Sequence, residues 1–337
     1  HLSAYTEINF SNSSRVRKRY GRNDWMLAGG KRVSQFNHAN PIDNITNEFY
    51  TLFLKENYMK LYENWFGQLR YSRTFQTNAH LTVGVNYESR IPLENTTDFV
   101  IFKNGDKAFT PNHPYELAGV PFEKHKAMVL DAGFSFQPGQ QFVELPDRKI
   151  PFGSKYPTFS ISYAKGIPGV GNSVVDFDKW SFAVQDNMNF KLLGEFRYHV
   201  SVGGFLNDRN VQLPDYQHFN GNQTFYNIKY LNSFQLAPYY RYSTTAAFYA
   251  TINAEHHFNG LLTNKIPLFN KLKWNLVAGA NAFYVNSDNN YVEVFGGLEN
   301  ILKVIRVDMV AGYQSKQDTR IGVRVGFGGI LGNLVRP

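Results

Sequence analysis

The stretch TRIGVRVGFGGI, Thr319 to Ile330, carries two patterns at once. Ile321, Val323, Val325 and Phe327 share one parity, and all are apolar; Arg320, Gly322, Arg324, Gly326 and Gly328 share the other, which holds only charge and glycine. An extended strand points alternate side chains to opposite faces, so one face here asks for an apolar medium and the other for water or very close neighbours.

The same alternation recurs upstream. Leu272, Trp274, Leu276, Ala278, Ala280, Ala282 and Tyr284 oppose Lys273, Asn275, Gly279 and Asn281. Phe248, Ala250, Ile252, Ala254 and Phe258 oppose Tyr249, Thr251, Asn253, Glu255 and His257. Phe196, Tyr198, Val200 and Val202 oppose Glu195, Arg197, His199 and Ser201. AHLTVGVNYE and KVIRVDMVAGY follow suit, with Glu88, Arg306 and Asp308 on the polar parity. A soluble sandwich also alternates, but its outward face favours Lys, Glu, Thr and Ser over a bulky core. Paired charges with many glycines suit an enclosed, hydrated lumen, and alanine on the apolar face costs little against lipid. Trp and Tyr recur near segment ends, as interfacial girdles require.

These patterns predict strands at 2–10, 27–36, 65–75, 78–89, 124–138, 156–166, 174–188, 190–206, 231–244, 246–259, 271–285, 289–300, 303–315 and 318–331. The expected fold is all-β: a single-domain transmembrane antiparallel up-and-down β-barrel over residues 1–337, of about 14 strands, with 12 and 16 as the neighbouring counts. Helices are expected to be scarce. Asn57 to Phe66 reads as a short helix or another strand, and Leu261 to Lys273 as an amphipathic turn on a membrane surface. With both termini in the periplasm, the long, external connections should follow odd-numbered strands, yet 90–123 and 207–230 follow even-numbered ones; either a strand before residue 65 is uncounted, or those segments fold inward or lie on the periplasmic side.

Composition narrows the function classes. Aromatics reach 16%, with 29 Phe and 21 Tyr, whereas charged residues are only 18%, below the soluble average of about 25%. Cysteine is absent, which excludes a disulfide framework and a thiolate metal site. No apolar run is long enough for a membrane helix. The net charge of +8 suits nucleic acid, anionic lipid or lipopolysaccharide, with a basic surface that has no dedicated partner as the plainer reading. RVRKRY (Arg15 to Tyr20) is basic but stands in an expected loop without a nucleic-acid-binding motif, so no nucleic-acid partner is expected. The chain opens HLSAYTEINF, without initiator Met or signal peptide, and is expected to be a processed product or part of something longer.

Candidate chemistry is sparse. GIPGVGN (Gly166 to Asn172) lacks GxGxxG spacing and reads as a hairpin turn. His256 and His257 are adjacent on a strand and point apart, so they cannot share a metal, and no cofactor or metal is expected. Ser243, Asn253 and His256 resemble the set of a barrel lipase, but Asn253 and His256 fall on opposite parities, and no enzyme is expected. Glu195, Arg197, Glu255, His257, Arg306, Asp308, Arg320 and Arg324 are the lumen-lining candidates. They would pair and close the lumen, or else select ions in a pore. Asp215, Tyr216, His218, Phe219, Asn220 and Asn222, within DYQHFNGNQTFY, are candidates for a plug folded into the barrel, with an exposed loop as the plainer reading.

Gln35 to Phe66, RIPLENTTDF (Arg90 to Phe99), GSKYPTFSISYAKGIPG (Gly153 to Gly169), DYQHFNGNQTF and AEHHFNGLLTNKIPLFNKLKW (Ala254 to Trp274) resemble the C-terminal barrel of a Bacteroidota family. Its members carry an N-terminal carboxypeptidase-regulatory-like domain and a conserved region of unknown function. EVFGGLENILKVIRVDMVAGY and RIGVRVGFGG are further similar to surface-antigen barrels, the superfamily of the outer-membrane insertase and two-partner secretion pores. The chain departs from those patterns in lacking the regulatory-like domain and an RGY-type lid motif, and in ending LGNLVRP; HFNGN (His218 to Asn222) is the nearest counterpart of the lid. The resemblance implies an outer-membrane address and a cell-envelope role. The expected function is a non-enzymatic component or scaffold of an envelope complex, the alternative a pore or transporter for small solutes or a lipid-like substrate. Its expected partners are outer-membrane lipid, lipopolysaccharide and other outer-membrane or periplasmic proteins.

Overall fold

The computed structural model describes residues 3–13, 21–96, 99–101, 108–146, 149–227, 229–258, 260–261, 265, 267–314 and 318–327. Its first strands are β1 (Ala4–Ser13), β2 (Arg22–Gln35), β3 (Leu61–Thr74), β4 (His80–Pro92) and β5 (His125–Phe136). A small hairpin follows, β6 (Gln141–Glu144) with β7 (Lys149–Gly153), and then β8 (Thr158–Gly166), β9 (Asp176–Asn189) and β10 (Glu195–Asn210). After the short β11 (Tyr226–Asn227) come β12 (Tyr249–His257), β13 (Asn275–Tyr284), β14 (Asn290–Ile301), β15 (Ile305–Tyr313) and β16 (Arg320–Phe327). The helices are α1 (Asn44–Leu54) and α2 (Pro267–Leu272).

The architecture is all-β, built on one mostly antiparallel 14-stranded sheet in the order β1-β2-β3-β4-β5-β8-β9-β10-β12-β13-β14-β15-β16-β11. Each long strand pairs with the next in sequence, as in an up-and-down sheet. The ends of the sheet, β1 and β11, are not paired with each other among the described residues. Thirteen of the expected strands are present with shifted ends, but 231–244 is not a strand. The sheet's fourteenth member is instead β11, two residues that pair in parallel with Val325 and Gly326. The alternation across 231–244 arises because Phe234, Tyr240 and Tyr242 are buried inside an irregular segment, where apolar residues also recur without a ladder.

Burial across the sheet is inverted relative to a water-soluble protein. On β12, Asn253, Glu255 and His257 are buried while Ile252 is 46% exposed. On β16, Ile321 and Val323 are exposed while Gly326 is buried. On β14, Val292 and Val294 are exposed and Glu293 is fully buried. The apolar parity read from Thr319–Ile330 thus forms the outer surface at Ile321 and Val323, with Val325 half-buried, and beyond Gly326 its side chains lie outside the described residues.

Antiparallel pairing puts connections that follow alternate strands at the same end. The long ones, 36–60, 93–124 and 211–248, all lie at one end with 167–175. The even-numbered placement noted in the sequence therefore holds, and among the described residues no further strand precedes residue 65 beyond β1 to β3. Residues 57–60 are extended and lead into β3, while the helix of that region is α1. Asp43 caps it, its carboxylate accepting from Thr46 N at 2.9 Å, and Lys55 ends it in the left-handed conformation. Of Leu261 to Lys273, residues 267–272 form α2 and 262–264 and 266 lie outside the described residues. Arg15 to Tyr20 lie outside them too.

Candidate functional site: the buried face and the segment that fills it

Residues 211–248 leave β10 and return to β12, its direct neighbour, after crossing the buried face of the sheet. The crossing is anchored at three places.

The first anchor is an ionic group near the start of the segment. Arg90 Nη1 and Nη2 donate to the two Asp215 oxygens at 2.6 and 2.9 Å, and its Nε donates to Glu88 Oε2 at 2.8 Å. Glu88 Oε1 also accepts from Arg32 at 2.7 Å and Asn64 at 2.8 Å. Arg90 and Glu88 are 1% and 2% exposed, so the charges are compensated by each other rather than by water. Lys179 Nζ donates to the Tyr216 carbonyl at 3.0 Å. His218 is held at both nitrogens, by Ser243 Oγ at 2.7 Å and the Leu213 carbonyl at 2.9 Å. Burial pushes its imidazole down to about 3, with Lys179 adding to the effect.

The second anchor joins the segment to β13, β14 and β16. Glu293 accepts from the backbone N–H groups of Gln235 and Leu236 at 2.6 and 3.1 Å, from Asn281 Nδ2 at 2.8 Å and from the Tyr291 hydroxyl at 2.8 Å. Arg324 Nε donates to the Gln235 carbonyl at 2.6 Å and Nη2 to the Asn222 carbonyl at 3.3 Å. The glycines of β16 now have their reason: a Cβ on Gly322 would stand 2.7 Å from Leu236, and one on Gly326 would overlap the Tyr230 hydroxyl and the Asn227 carbonyl. The close neighbour that the Gly/Arg parity asks for is this segment.

The third anchor is aromatic. Phe219 stacks on Phe283 with centroids 4.4 Å apart and planes 9° apart, and Phe234, Tyr242, Tyr249 and Tyr291 complete the cluster. Asn220 accepts from Asn37 at 3.0 Å, and the Tyr50 hydroxyl on α1 accepts from Phe225 N at 2.8 Å, tying the connection 36–60 to this one. Phe36, Ile42, Met59, Tyr62, Phe122, Leu213, Tyr239 and Tyr240 form a joint core of three connections and β3. Lys60, beside this core, is lowered to about 8 by burial.

Most of the charged candidates from the sequence meet in one network. Pairing of β10 with β12 sets Arg197 opposite Glu255 and Glu195 opposite His257. Arg306 donates to Glu255 at 3.0 Å and to Asp308 at 2.9 Å, and its guanidinium lies 3.8 Å from the centroid of the Tyr230 ring. His257 reaches Glu299 at 3.0 Å and Arg197 reaches Glu195 at 2.6 Å. Arg324 of β16 stands apart, bonded to the crossing segment, and Arg320 is exposed with no ion pair among the described residues. Asp215, Tyr216, His218, Phe219, Asn220 and Asn222 all lie within the crossing, which runs to 248 rather than 230.

Arg32, Arg90, Lys179 and Glu293 escaped the sequence reading, which placed Glu88 on the polar parity but not among the lumen-lining candidates. Glu88 and Arg90 continue the polar parity of β4, a signal that was present. Glu293 alternates with Tyr291 and Phe295, so its face reads as mixed, and only the segment packed against it explains the carboxylate.

Ser243, Asn253 and His256 do not assemble. Asn253 donates to Asn281 at 3.0 Å, and His256 bonds the Leu193 carbonyl at 2.8 Å. Ser243 instead meets His218, whose lowered basicity suits a fixed hydrogen-bond acceptor rather than a general base working near neutrality.

Beside the crossing, the other half of the buried face borders a cavity of about 1290 Å³, lined by Arg32, Gln68, Arg70, Asn86, Asp131 and Lys179 among others. Among the described residues no group of three or more His, Asp or Glu has the arrangement of a metal site.

No curated protein matches this chain. A family model described as the C-terminal domain of a family of unknown function, DUF5686, matches residues 3–298. A match over most of the chain, from β1 into β14 and across the long connections between them, makes the protein a member of the DUF5686 C-terminal domain family.

Proposed function

We propose that the sheet is the wall of a transmembrane β-barrel in an outer membrane, and that the protein is a non-enzymatic component or scaffold of a cell-envelope complex. The observation that carries this reading is the inverted burial. Ile252, Val294, Met309, Ile321 and Val323 are exposed over the same strands whose other parity buries Glu255, Glu293, Arg306 and Asp308. Water would make such an outer surface an aggregation patch, whereas hydrocarbon is its matching solvent. Strands of 8 to 16 residues in the long pairings bracket the roughly 9–11 needed to cross a tilted barrel wall. In this reading β1 and β16 approach one another at the closing seam.

The crossing segment favours a scaffold over an open pore. It packs over the faces of β12 to β16 and is held there by the buried Glu293 carboxylate and by Arg324, so that part of the interior is protein. The second reading, a transporter, is favoured by one observation, the cavity of about 1290 Å³ that remains.

Two measurements separate the readings. Full-length protein reconstituted in planar bilayers is expected to show no steady conductance; stable open channels would sink the scaffold reading. Extraction from native membranes in mild detergent, followed by size exclusion and mass spectrometry, is expected to return stoichiometric envelope partners. A lone barrel with lipid only would shift the balance to transport.

A further inference from the structure

The two ends of the sheet differ in charge. The connections at the end opposite the long ones are 14–21, 75–79, 137–157, 190–194, 258–274 and 302–304. In sequence they hold twelve Lys and Arg against two Asp and Glu, whereas those at the other end hold eight against eleven. The basic end is also apolar at its tips. Leu192 is 85% exposed, Leu302 79% and Phe152 75%, each on a different turn. Exposed lysines flank these tips or stand on the neighbouring turn: Lys191, Lys271, Lys273 and Lys303. None of the four has an ion pair among the described residues, and Leu272 between two of them is 43% exposed.

We infer that this end of the protein is a binding surface for an anionic phospholipid leaflet, with leucine and phenylalanine tips seated at the acyl boundary and unpaired lysines on the headgroup phosphates. The inference rests on the membrane-spanning reading above and adds to it the lipid class and the end that takes it.

The physical case is the coincidence of two features on the same turns. A short turn facing water has no reason to expose leucine next to a lysine lacking a carboxylate partner. At a bilayer interface both choices are favourable: the apolar tip leaves water, and the flexible lysine stem lets the ammonium reach phosphate. The opposite end, where acidic residues outnumber basic ones, offers no such match. Each lysine near an anionic surface strengthens association about fivefold, and the effect decays within a Debye length, so it is sensitive to salt.

The test uses the full chain reconstituted in vesicles of phosphatidylcholine alone and of phosphatidylcholine with phosphatidylglycerol. Insertion is scored by the heat-dependent gel mobility of a folded barrel, and exposure of Lys191, Lys271, Lys273 and Lys303 by amine acylation and mass spectrometry. The expected result is several-fold slower acylation of these lysines in the anionic vesicles, reversed by high salt, with Lys55 and Lys124 at the other end unchanged. The variant K191Q/K271Q/K273Q/K303Q is expected to insert normally but to lose the preference for phosphatidylglycerol in competition between vesicle types. Normal insertion with equal acylation in both vesicles would overturn this inference and leave the membrane reading standing. Equal protection by inorganic phosphate in detergent would overturn it as well, since a soluble anion would then suffice. Failure to insert in either vesicle would overturn both readings.

Discussion

Replacing Asp215 by alanine should release the crossing segment from the sheet. Asp215 receives two charge-assisted hydrogen bonds from a guanidinium that is 1% exposed. Each such bond contributes about 1.5 kcal/mol or more, so their loss is expected to cost about 3 kcal/mol. Breaking a buried ion pair usually costs about 3–5 kcal/mol, and the lower end applies because Arg90 keeps Glu88 at 2.8 Å and is not left bare. About 3 kcal/mol corresponds to a roughly hundredfold rise in the open population of the segment. Amide hydrogen exchange of the detergent-solubilised chain reads this directly: peptides within 211–248 should exchange about 10²-fold faster, while those from β13 and β14 hold their rates. D215N should resemble D215A, because the charge carries the effect. R90M/D215L should recover much of the protection, because neither charge is then buried alone. Exchange within twofold of the parent in D215A, or a double variant worse than both singles, would refute the claim that this pair fastens the segment.

Three further outcomes follow from the same geometry. Gly326→Val places a side chain where Tyr230 and Asn227 lie, and an overpacking cost of about 1–3 kcal/mol should appear as a lowered unfolding temperature, whereas V325A, which shortens a side chain on the opposite parity of the strand, should change little. His218 is neutral in the fold, its imidazole pushed down to about 3 against an ordinary 6.5. The unfolded state therefore binds the extra proton between those values, so stability is full above pH 6.5 and falls as the pH drops towards 3, by about 2 kcal/mol at pH 5 from this group. Burial lowers His38 in the same direction, so H218Q should flatten the acid limb of the stability profile in part, and an unchanged limb would exclude His218 as a contributor. Val323→Arg should cost about 2–4 kcal/mol if that exposed position faces hydrocarbon, and the yield of folded protein on insertion into vesicles should drop accordingly; a surface in water would accept the same arginine without loss.

Much of this organisation is legible along the chain because a strand encodes its two environments in adjacent residues. In Ile321–Gly326, as in 249–257 and 275–285, parity alone separates the more exposed side chains from the more buried ones, and thirteen strands follow from it. The same logic assigned Glu255, His257, Arg306 and Asp308 to one face. It failed over 231–244, where Phe234, Tyr240 and Tyr242 alternate well enough to imitate a strand. Their burial comes from packing against Phe283, Tyr291 and the joint core of the three connections and β3, and a one-dimensional pattern does not distinguish those surroundings from a ladder partner.

What the sequence by itself determined is therefore the pleat: which residues of each long strand face outward, and that the outer face is apolar. That information is local, since neighbouring side chains on extended backbone diverge whatever the rest of the molecule does. The tertiary structure alone decided what the inner face meets. Arg90 finds Asp215 across 125 positions of chain, and Glu293 finds the backbone of Gln235 across 58, because a long connection turns back over the sheet. Such contacts depend on where the chain returns in space. A glycine such as Gly326 records that return only as an unexplained absence of a side chain.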